Sequence, residues 1–290
     1  MIGAPSAAPD TPAPAKAILY EVSSSAEDDD QCGSIWSVDP GGGDPMPVID
    51  RGVGDCDPDW APDGQRFAFA SDRDGVHGIF IADATASKIV RVTHPPAGAK
   101  DYMPAWSPDG KRIAFERLVP SGDSYALYVI NADGTNQRRL AGGHGFDGTP
   151  SWSPDGRIVF VSDRPHGERK LCEACSALYV LRPNKTSARR ITSKRFNALM
   201  PAWSRDGNYI AWARGDSTDD ILALFVMRAN TKGVHKLDVS GGSPAWAPDS
   251  QSLVYSSGSG LMITKLDGTG HARLTRDGGD GPSWRPTVAP

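Results

Sequence analysis

The sequence lacks any apolar run long enough to cross a membrane as a helix. Its longest uninterrupted apolar run is residues 221–227, whereas a transmembrane helix needs about twenty such residues. It also lacks an excess of positive charge, since 31 Lys and Arg face 35 Asp and Glu and the formal net charge is −4. Nucleic-acid-binding domains usually carry a basic excess or stripe. These absences argue against a helical membrane protein and against a nucleic-acid-binding protein.

Motifs of the common hydrolases and nucleotide-binding enzymes are missing as well. The chain has no Gly-x-Ser-x-Gly nucleophile motif, no His-Glu-x-x-His zinc motif and no Walker loop. Its six histidines fall at non-equivalent positions and are expected mostly at the surface. His144 and Asp147 share one connection, but two groups alone do not define a mechanism. No catalytic residue is therefore assigned.

What the sequence does contain is one phrase that recurs six times. PAWSPDG begins at Pro104, and variants of it begin at residues 58, 150, 201, 244 and 282. The tryptophans of successive copies lie 38 to 51 residues apart, which is the length of one four-stranded propeller blade. A content of 32 Gly and 24 Pro suits a turn-rich β protein. The repeat predicts an all-β, six-bladed β-propeller.

Each repeat predicts four strands joined by Pro/Asp/Gly turns; in the second repeat they are 105–107, 112–116, 127–130 and 138–140. The two ends of the chain complement each other. Residues 282–284 predict a first strand without successors, and 17–21, 35–38 and 47–49 predict three strands without a predecessor. Sharing one blade between the termini would close the ring and remove its exposed sheet edges.

The predicted domain organisation follows from this closure. We expect a single propeller domain over residues 17–286. A flexible Ala/Pro-rich linker is expected over residues 1–16, and residues 287–290 form a short tail.

The repeat resembles a known family. W-S-P-D-G is followed by an apolar strand, often by Ser-Asp-Arg (71–73 and 162–164), then by a LYV-type strand, Asp-Gly and Arg-Leu-Thr. This order is similar to the WD40-like repeat of TolB-type β-propellers, over about residues 17–286. The resemblance implies the propeller fold and, for TolB itself, a periplasmic protein that binds a peptidoglycan-associated lipoprotein. The fold carries many functions, so the resemblance specifies function weakly.

The repeated residues themselves have structural explanations. Pro, Asp and Gly each favour the turn, and a Trp beside small residues suits packing between neighbouring blades. A stack of sugar-binding or peptide-binding tryptophans is the alternative. Arg205 and Ser250 replace Pro and Gly in two of the turns and are expected to loosen them. The predicted structural tryptophans are Trp60, Trp106, Trp152, Trp203, Trp246 and Trp284.

Alternating strand directions predict two different faces of the disc. Short Pro-Asp-Gly and Asp-Gly turns, nearly alike in every repeat, form the turn face. The variable face holds the connections between blades and the longer loops, which include 23–34, 120–124, 163–176 and 216–220. Binding residues tend to lie on loops held by a rigid scaffold, so the variable face is the expected functional face.

Acidic residues recur on the variable face, because an Asp stands five residues before the Trp in three successive repeats. Each could cap a local turn. Alternatively, they could gather at the mouth of the central channel and bind a basic peptide or a cation. The candidate binding residues are Asp55, Asp101, Tyr102, Asp147, Asn197 and Asp280.

The four cysteines also fall on the variable face. Cys32 and Cys56 lie in loops that blade closure brings together, so a Cys32–Cys56 disulfide is predicted. Cys172 and Cys175 could form a local disulfide, a redox pair or, with His166, half of a zinc site; a disulfide or inert thiols is the favoured interpretation. An even number of cysteines with pairing favours an extracytoplasmic location, either periplasmic, secreted or surface-anchored.

Two classes of function remain open. The leading hypothesis is a non-catalytic interaction or sensor module that binds a protein or peptide partner, without a cofactor and as a monomer by default. The alternative is a catalytic propeller, such as a polysaccharide lyase or a metal-dependent hydrolase or lactonase, with a divalent cation in the channel. The chain could also be the propeller domain of a larger peptidase or receptor kinase.

Overall fold

The structure is a computed structural model that describes residues 16–23, 32–51, 54–120, 124–143, 145–164, 176–185, 187–193, 197–215, 222–276 and 278–287. The strands in these residues form six four-stranded antiparallel sheets. The prediction of an all-β, six-bladed β-propeller is confirmed.

The strands follow the predicted order of four per blade, with small differences in their ends. Blade 1 holds β4 to β7, blade 2 holds β8 to β11, blade 3 holds β12 to β15, blade 4 holds β16 to β19 and blade 5 holds β20 to β23, while blade 6 holds β24 and β1 to β3. In chain order they are β1 (Ile18–Val22), β2 (Ser34–Val38), β3 (Met46–Ile49), β4 (Asp55–Trp60), β5 (Arg66–Ser71), β6 (Gly78–Asp83), β7 (Ile89–Arg91), β8 (Lys100–Trp106), β9 (Arg112–Leu118), β10 (Tyr125–Asn131), β11 (Arg138–Ala141), β12 (Asp147–Trp152), β13 (Ile158–Ser162), β14 (Ala177–Leu181), β15 (Arg189–Arg190), β16 (Ala198–Trp203), β17 (Tyr209–Arg214), β18 (Ala223–Arg228), β19 (His235–Ser240), β20 (Gly242–Trp246), β21 (Ser252–Ser257), β22 (Gly260–Lys265), β23 (Ala272–Arg273) and β24 (Asp280–Trp284).

Blade 6 closes the ring by combining the two ends of the chain, as predicted. Strand β24 pairs antiparallel with β1, with Ile18 opposite Trp284 and Leu19 opposite Ser283. Just beyond the strand, the Arg285 amide donates a hydrogen bond of 2.7 Å to the Ala17 carbonyl oxygen. Sheet pairing between the termini therefore satisfies an edge that an open array would leave exposed.

The hydrophobic core consists of six clusters, one between each pair of neighbouring blades, and each contains one Trp of the repeated phrase. All six of these tryptophans are 2 to 8 % exposed. An arginine often covers the outer side of the ring; Arg66, for example, lies 5.1 Å from the Trp106 ring centroid. Burial of a large apolar side chain contributes about 1.5–3 kcal/mol, and an exposed cation–π contact adds about 0.5–1 kcal/mol.

The innermost strand of each blade is longer than predicted. Strand β8 begins at Lys100, five residues before the predicted start at Ala105, because the strand continues through Pro104. A β-bulge makes this continuation compatible with proline, which cannot donate a ladder hydrogen bond. The register with β9 shifts between Tyr102 and Ala105, so Pro104 needs no partner. The five other innermost strands, β4, β12, β16, β20 and β24, contain the same shift.

Candidate functional site

The six innermost strands line a central channel of about 430 Å³. The residue three positions before each Trp lies at the bulge and has a left-handed backbone, which costs a non-glycine residue on the order of 1 kcal/mol. We call these six residues the bulge ring, and all of them line the channel. The bulge ring consists of Asp57 (φ 53°), Met103 (49°), Thr149 (48°), Met200 (48°), Ser243 (45°) and Gly281 (53°).

The three aspartates predicted to form an acidic mouth lie inside strands and are paired with arginines. Asp101 is fully buried, and both of its oxygens accept bonds from Arg117, at 2.5 and 2.8 Å. Asp55 is also fully buried and accepts bonds from Arg73 at 2.9 Å and Arg51 at 3.1 Å. The structure thus differs from the prediction of an open acidic mouth at these positions, because the nearby guanidinium groups neutralise the carboxylates.

Asp147 follows the same pattern and explains the recurrent Ser-Asp-Arg motif. Arg164 donates to Asp147 at 2.6 Å and to the Ser162 hydroxyl at 2.8 Å. Its guanidinium also lies 4.9 Å from the Tyr179 ring centroid. In blade 1, Arg73 bonds to Ser71 in the same way. The motif therefore positions an arginine beneath the aspartate of the first strand, and its role here is structural.

The other three predicted binding residues lie apart from one another. The Tyr102 ring packs against His77 with centroids 4.9 Å apart. Asn197 directly precedes β16 and accepts a bond of 3.1 Å from the Ser176 hydroxyl. Asp280 accepts bonds from the Ser256 hydroxyl at 2.6 Å and the Gly281 amide at 2.7 Å. Of the six predicted residues, Asp280 alone lines the channel.

A second set of carboxylates, which shares only Asp280 with the predicted residues, occupies the channel region and is contributed by blades 6, 1 and 2. Glu21 accepts a bond of 2.8 Å from the Asp57 amide, and Asp57 accepts one of 3.0 Å from the Met103 amide. Glu116 accepts a bond of 2.8 Å from the Thr149 amide. Each of these three carboxylates thus accepts a hydrogen bond from the bulge-ring amide of the next blade. We call this set the acid arc: Glu21, Asp57, Asp59, Glu116 and Asp280.

Burial raises the pKa values of four members of the acid arc, Glu21, Asp57, Asp59 and Glu116. Desolvation, reinforced by the charge of Asp57, raises the pKa of Glu116 to about 8. Desolvation, with a contribution from Asp280, raises the pKa of Asp57 to about 6. The pKa of Glu21 is raised well above its usual range by burial and then by the Asp57 charge. Part of the acid arc is therefore protonated at neutral pH, in contrast to ordinary surface carboxylates.

At the level of the bulge ring, the opposite wall of the channel is neutral. Met200 and Ser243 belong to blades 4 and 5, and the Ser243 hydroxyl lies 2.9 Å from the Met200 sulfur. The Thr149 hydroxyl oxygen of blade 3 is buried and has no hydrogen-bond partner within the part of the chain that the structure describes. The channel is consequently asymmetric, with carboxylates on one side and uncharged groups on the other.

Arg205 lies at the turn-face end of the channel. Its guanidinium donates a bond of 2.7 Å to the Trp284 carbonyl oxygen, which connects blade 4 to blade 6. The expected loosening of its turn is not seen, since Gly207 still donates to Ser204 at 3.0 Å. Its charge partly offsets the burial that raises the Asp59 pKa. Apart from Asp59, the members of the acid arc lie toward the variable face, where the innermost strands begin.

Cys32 and Cys56 form a disulfide with an S–S distance of 2.12 Å, which joins the closing blade to blade 1. His77 lies beside it, and these three residues are close enough to suggest a metal site. The two sulfurs are bonded to each other, however, so they offer no thiolate ligands. Cys172, Cys175 and His166 lie outside the described residues, as do most of the long variable-face loops.

Among the described residues, no helix has the length and apolarity required to span a bilayer.

Glu21 and Glu116 were missed by sequence reasoning, although the repeats contain a signal for them. Aligned second strands read RFAFA, RIAFE, RIVFV, YIAWA, SLVYS and AILYE. The fifth position is apolar or small in four blades and is Glu in the other two. The bulge ring gave no comparable signal, because the residue before Pro varies from Asp to Met to Gly.

Six four-stranded blades arranged around a central channel define the class of this protein as a closed six-bladed β-propeller. The family described as the TolB beta propeller domain (PD40) matches residues 97–288, which is more than half of the chain. The chain therefore belongs to the TolB β-propeller family.

Individual relatives match the chain to different extents. A TolB homolog of Chlorobaculum tepidum is 33% identical over 129 residues, which is 42% of this chain and 27% of that protein. TolB from Acinetobacter baumannii has a similar fold, with a TM-score of 0.76 and 22% identity over 93% of this chain and 67% of that one. An oligogalacturonate lyase in complex with manganese is similar at a TM-score of 0.58 and 13% identity, over 84% and 70% of the two chains. The two structural likenesses establish the fold alone.

Proposed function

We propose that this propeller is a non-catalytic, extracytoplasmic interaction module that binds a basic segment of a protein or peptide partner at the acid arc. The observation that carries the proposal is the concentration of carboxylates with raised pKa values on one wall of the channel. Three of these, Glu21, Asp57 and Asp59, line the channel directly, together with Asp280. Their position on a rigid ring suits recognition of a segment that enters from the variable face.

The protonation state of the channel carboxylates should change when a partner binds. Three of them accept amide bonds from the protein, but in the described residues no lysine or arginine forms an ion pair with Glu21, Asp57 or Glu116. A lysine or arginine from a partner would stabilise the ionised carboxylates and lower their pKa values. Binding should therefore release protons near neutral pH.

The proposed location has two supports. The Cys32–Cys56 disulfide is of the kind that persists in oxidising compartments. Membership of the TolB β-propeller family is consistent with a protein-binding role outside the cytoplasm, such as that of TolB.

A catalytic propeller is the second candidate, favoured by the likeness to the manganese-bound oligogalacturonate lyase. Carboxylate oxygens are suitable ligands for Mn²⁺ and similar ions, so the acid arc could hold a divalent cation. Elemental analysis of the purified protein separates the two candidates: a stoichiometric metal supports the catalytic alternative.

A calorimetric titration with a short lysine-rich peptide tests the proposal. Replacing the channel acids by neutral isosteres, in a Glu21→Gln/Asp57→Asn variant, should weaken binding about tenfold or more, because a charge pair is lost. Asp44→Asn removes an exposed carboxylate of blade 6 away from the channel and is the matched control. Titrations in buffers of different ionisation enthalpy should show proton release by the wild type at pH 7.

Equal affinity of the wild type and the double variant for the peptide would contradict the proposal. The proposal would also be contradicted if the lysine-rich peptide bound no more tightly than an acidic peptide of the same length.

A further inference from the structure

A second cavity lies on the turn face between blades 2 and 3, away from the acid arc. Its volume is about 200 Å³. It is lined by Arg112, Asp155, Gly156, Arg182, Pro183 and Asn184. We propose that this cavity, which we call the inter-blade cleft, binds an oxyanion, either a phosphate or a carboxylate. The site is independent of the proposed function of the channel.

Arg112 is the central residue of the inter-blade cleft. It begins β9, and its guanidinium lies 5.1 Å from the centroid of the buried Trp152 ring. Stacking on an aromatic face fixes the plane of a guanidinium and leaves its N–H edge available to a ligand. No hydrogen bond or ion pair joins this guanidinium to another group in the part of the chain that the structure describes.

The equivalent arginines of other blades differ in this respect. Arg66 stacks on Trp106 in the same way, but it also bonds to Asp63 at 2.7 and 2.9 Å. Arg157 stacks on Trp203 and bonds to Asp155 at 2.9 and 3.0 Å. In blade 2 the corresponding turn residue, Asp109, accepts bonds from the Ser107 hydroxyl and the Lys111 amide. Arg112 is thus held in position without a hydrogen-bonded acidic partner, and its interaction with Asp109 is electrostatic only.

Arg182 supplies a second guanidinium at a position where blades 1 and 2 have none. The strand register places Asp83 of blade 1 opposite Arg66 and Asn131 of blade 2 opposite Arg112. Arg182 follows Leu181, which lies opposite Ile158, and so occupies the equivalent position in blade 3. Blades 1 and 2 have an acid or an amide at this position. Blade 3 has an arginine there, next to Arg112 in the inter-blade cleft.

Arg182 is oriented but remains accessible. It donates 3.1 Å to an Asp155 carboxylate oxygen, and its side chain is 49% exposed. Such half-exposed pairs contribute about 0–1 kcal/mol, so a ligand can share or replace Asp155 at little cost. Asp155 keeps Arg157 as a second partner.

A third arginine fixes the outer edge of the inter-blade cleft. Arg138 of β11 donates a bond of 2.7 Å to the Pro183 carbonyl oxygen, which holds the turn of blade 3 against blade 2. Around the cleft, Arg112, Arg138, Arg157 and Arg182 outnumber the acids Asp109 and Asp155. Two arginines converging on one cavity with a positive excess match the geometry and charge of phosphate and carboxylate groups.

Titration with inorganic phosphate at constant ionic strength, followed by NMR of the tryptophan indole groups, tests the proposal. The Trp152 indole resonance should shift saturably in the wild type. Arg112→Gln and Arg182→Gln should each weaken phosphate binding about tenfold. Arg66→Gln, which removes the equivalent arginine of blade 1, should leave the phosphate affinity unchanged.

Two further arms complete the experiment. Arg112→Lys retains the charge and most of the stacking but loses the planar fork, so it should fold normally and still bind phosphate more weakly than the wild type. Acetate and a peptide with an unblocked C-terminus identify whether a carboxylate binds better than phosphate. The proposal is overturned by a Trp152 resonance that does not saturate, or by equal losses in Arg66→Gln and Arg112→Gln.

Discussion

Two sets of buried or half-buried carboxylates differ in what surrounds them. Asp55, Asp101 and Asp147 each have an arginine within 3.1 Å. In the acid arc, Glu21, Asp57 and Glu116 bind backbone amides instead, and their pKa values are raised. An acidic residue near a channel is therefore a candidate for binding only after its partners are known.

The first set follows a regularity of the repeat: each aspartate of a first strand pairs with an arginine near the end of the second strand. The neutralising arginine stands 16 to 18 residues after the aspartate, at the point where the second strand returns to the variable face. Ser-Asp-Arg marks this position in two blades. The hairpin geometry of that motif predicts ion pairs at these positions instead of an acidic mouth.

Breaking the buried pair of Asp101 and Arg117 should have the largest effect. Asp101→Ala leaves a guanidinium that is 5% exposed without its partner. Removing one member of a buried pair costs about 3–5 kcal/mol, so the free energy of unfolding measured with urea should fall by this amount. Asp74→Ala, which breaks the exposed pair with Arg91, should cost less than about 1 kcal/mol. Similar losses in the two variants would show that burial does not distinguish them.

Removing the charge of Glu116 should stabilise the protein, in contrast to Asp101→Ala, and the size of this stabilisation should depend on pH. The pKa of this carboxyl is about 8 in the folded protein and near 4.3 in an unfolded chain. The protonated group is therefore compatible with folding at low pH, and stability is lost as pH rises toward 8. Glu116→Gln should abolish this loss and raise the free energy of unfolding at pH 7 by on the order of 3 kcal/mol.

The control for this prediction is a comparison at pH 4, below the unfolded pKa, where Glu116→Gln and the wild type should differ by less than about 0.5 kcal/mol. Asp44→Asn should show the pH dependence of the wild type. A Glu116→Gln variant that is as unstable as the wild type at pH 7 would exclude a buried, protonated Glu116.

Much of the fold could be predicted from the sequence because the repeat reports it six times. Four strands per blade, ring closure through β24 and β1, and burial of the six tryptophans all follow from the spacing and turn chemistry of PAWSPDG. The extent of the innermost strands could not be predicted, because Pro104 and its equivalents suggest a strand boundary where the structure has a bulge. The bulge, and not the alternation of side chains along the strand, turns the bulge-ring side chains toward the channel.

The acid arc was hidden for a related reason. Its members occupy different repeat positions, since Glu21 and Glu116 lie on second strands and Asp57 on a first strand. Only the bulge and the register between blades bring them to one wall. Long-range register is a property of the folded ring and has no short sequence signature.

The most direct test of the central claim is a carboxyl ¹³C NMR titration of Glu116 and Asp57, with and without the lysine-rich peptide. The structure predicts midpoints near 8 and 6 without the peptide, and lower midpoints for both groups when the peptide is bound. Midpoints near the usual values of about 4 for both groups, unchanged by the peptide, would contradict a channel whose buried acids bind a basic partner.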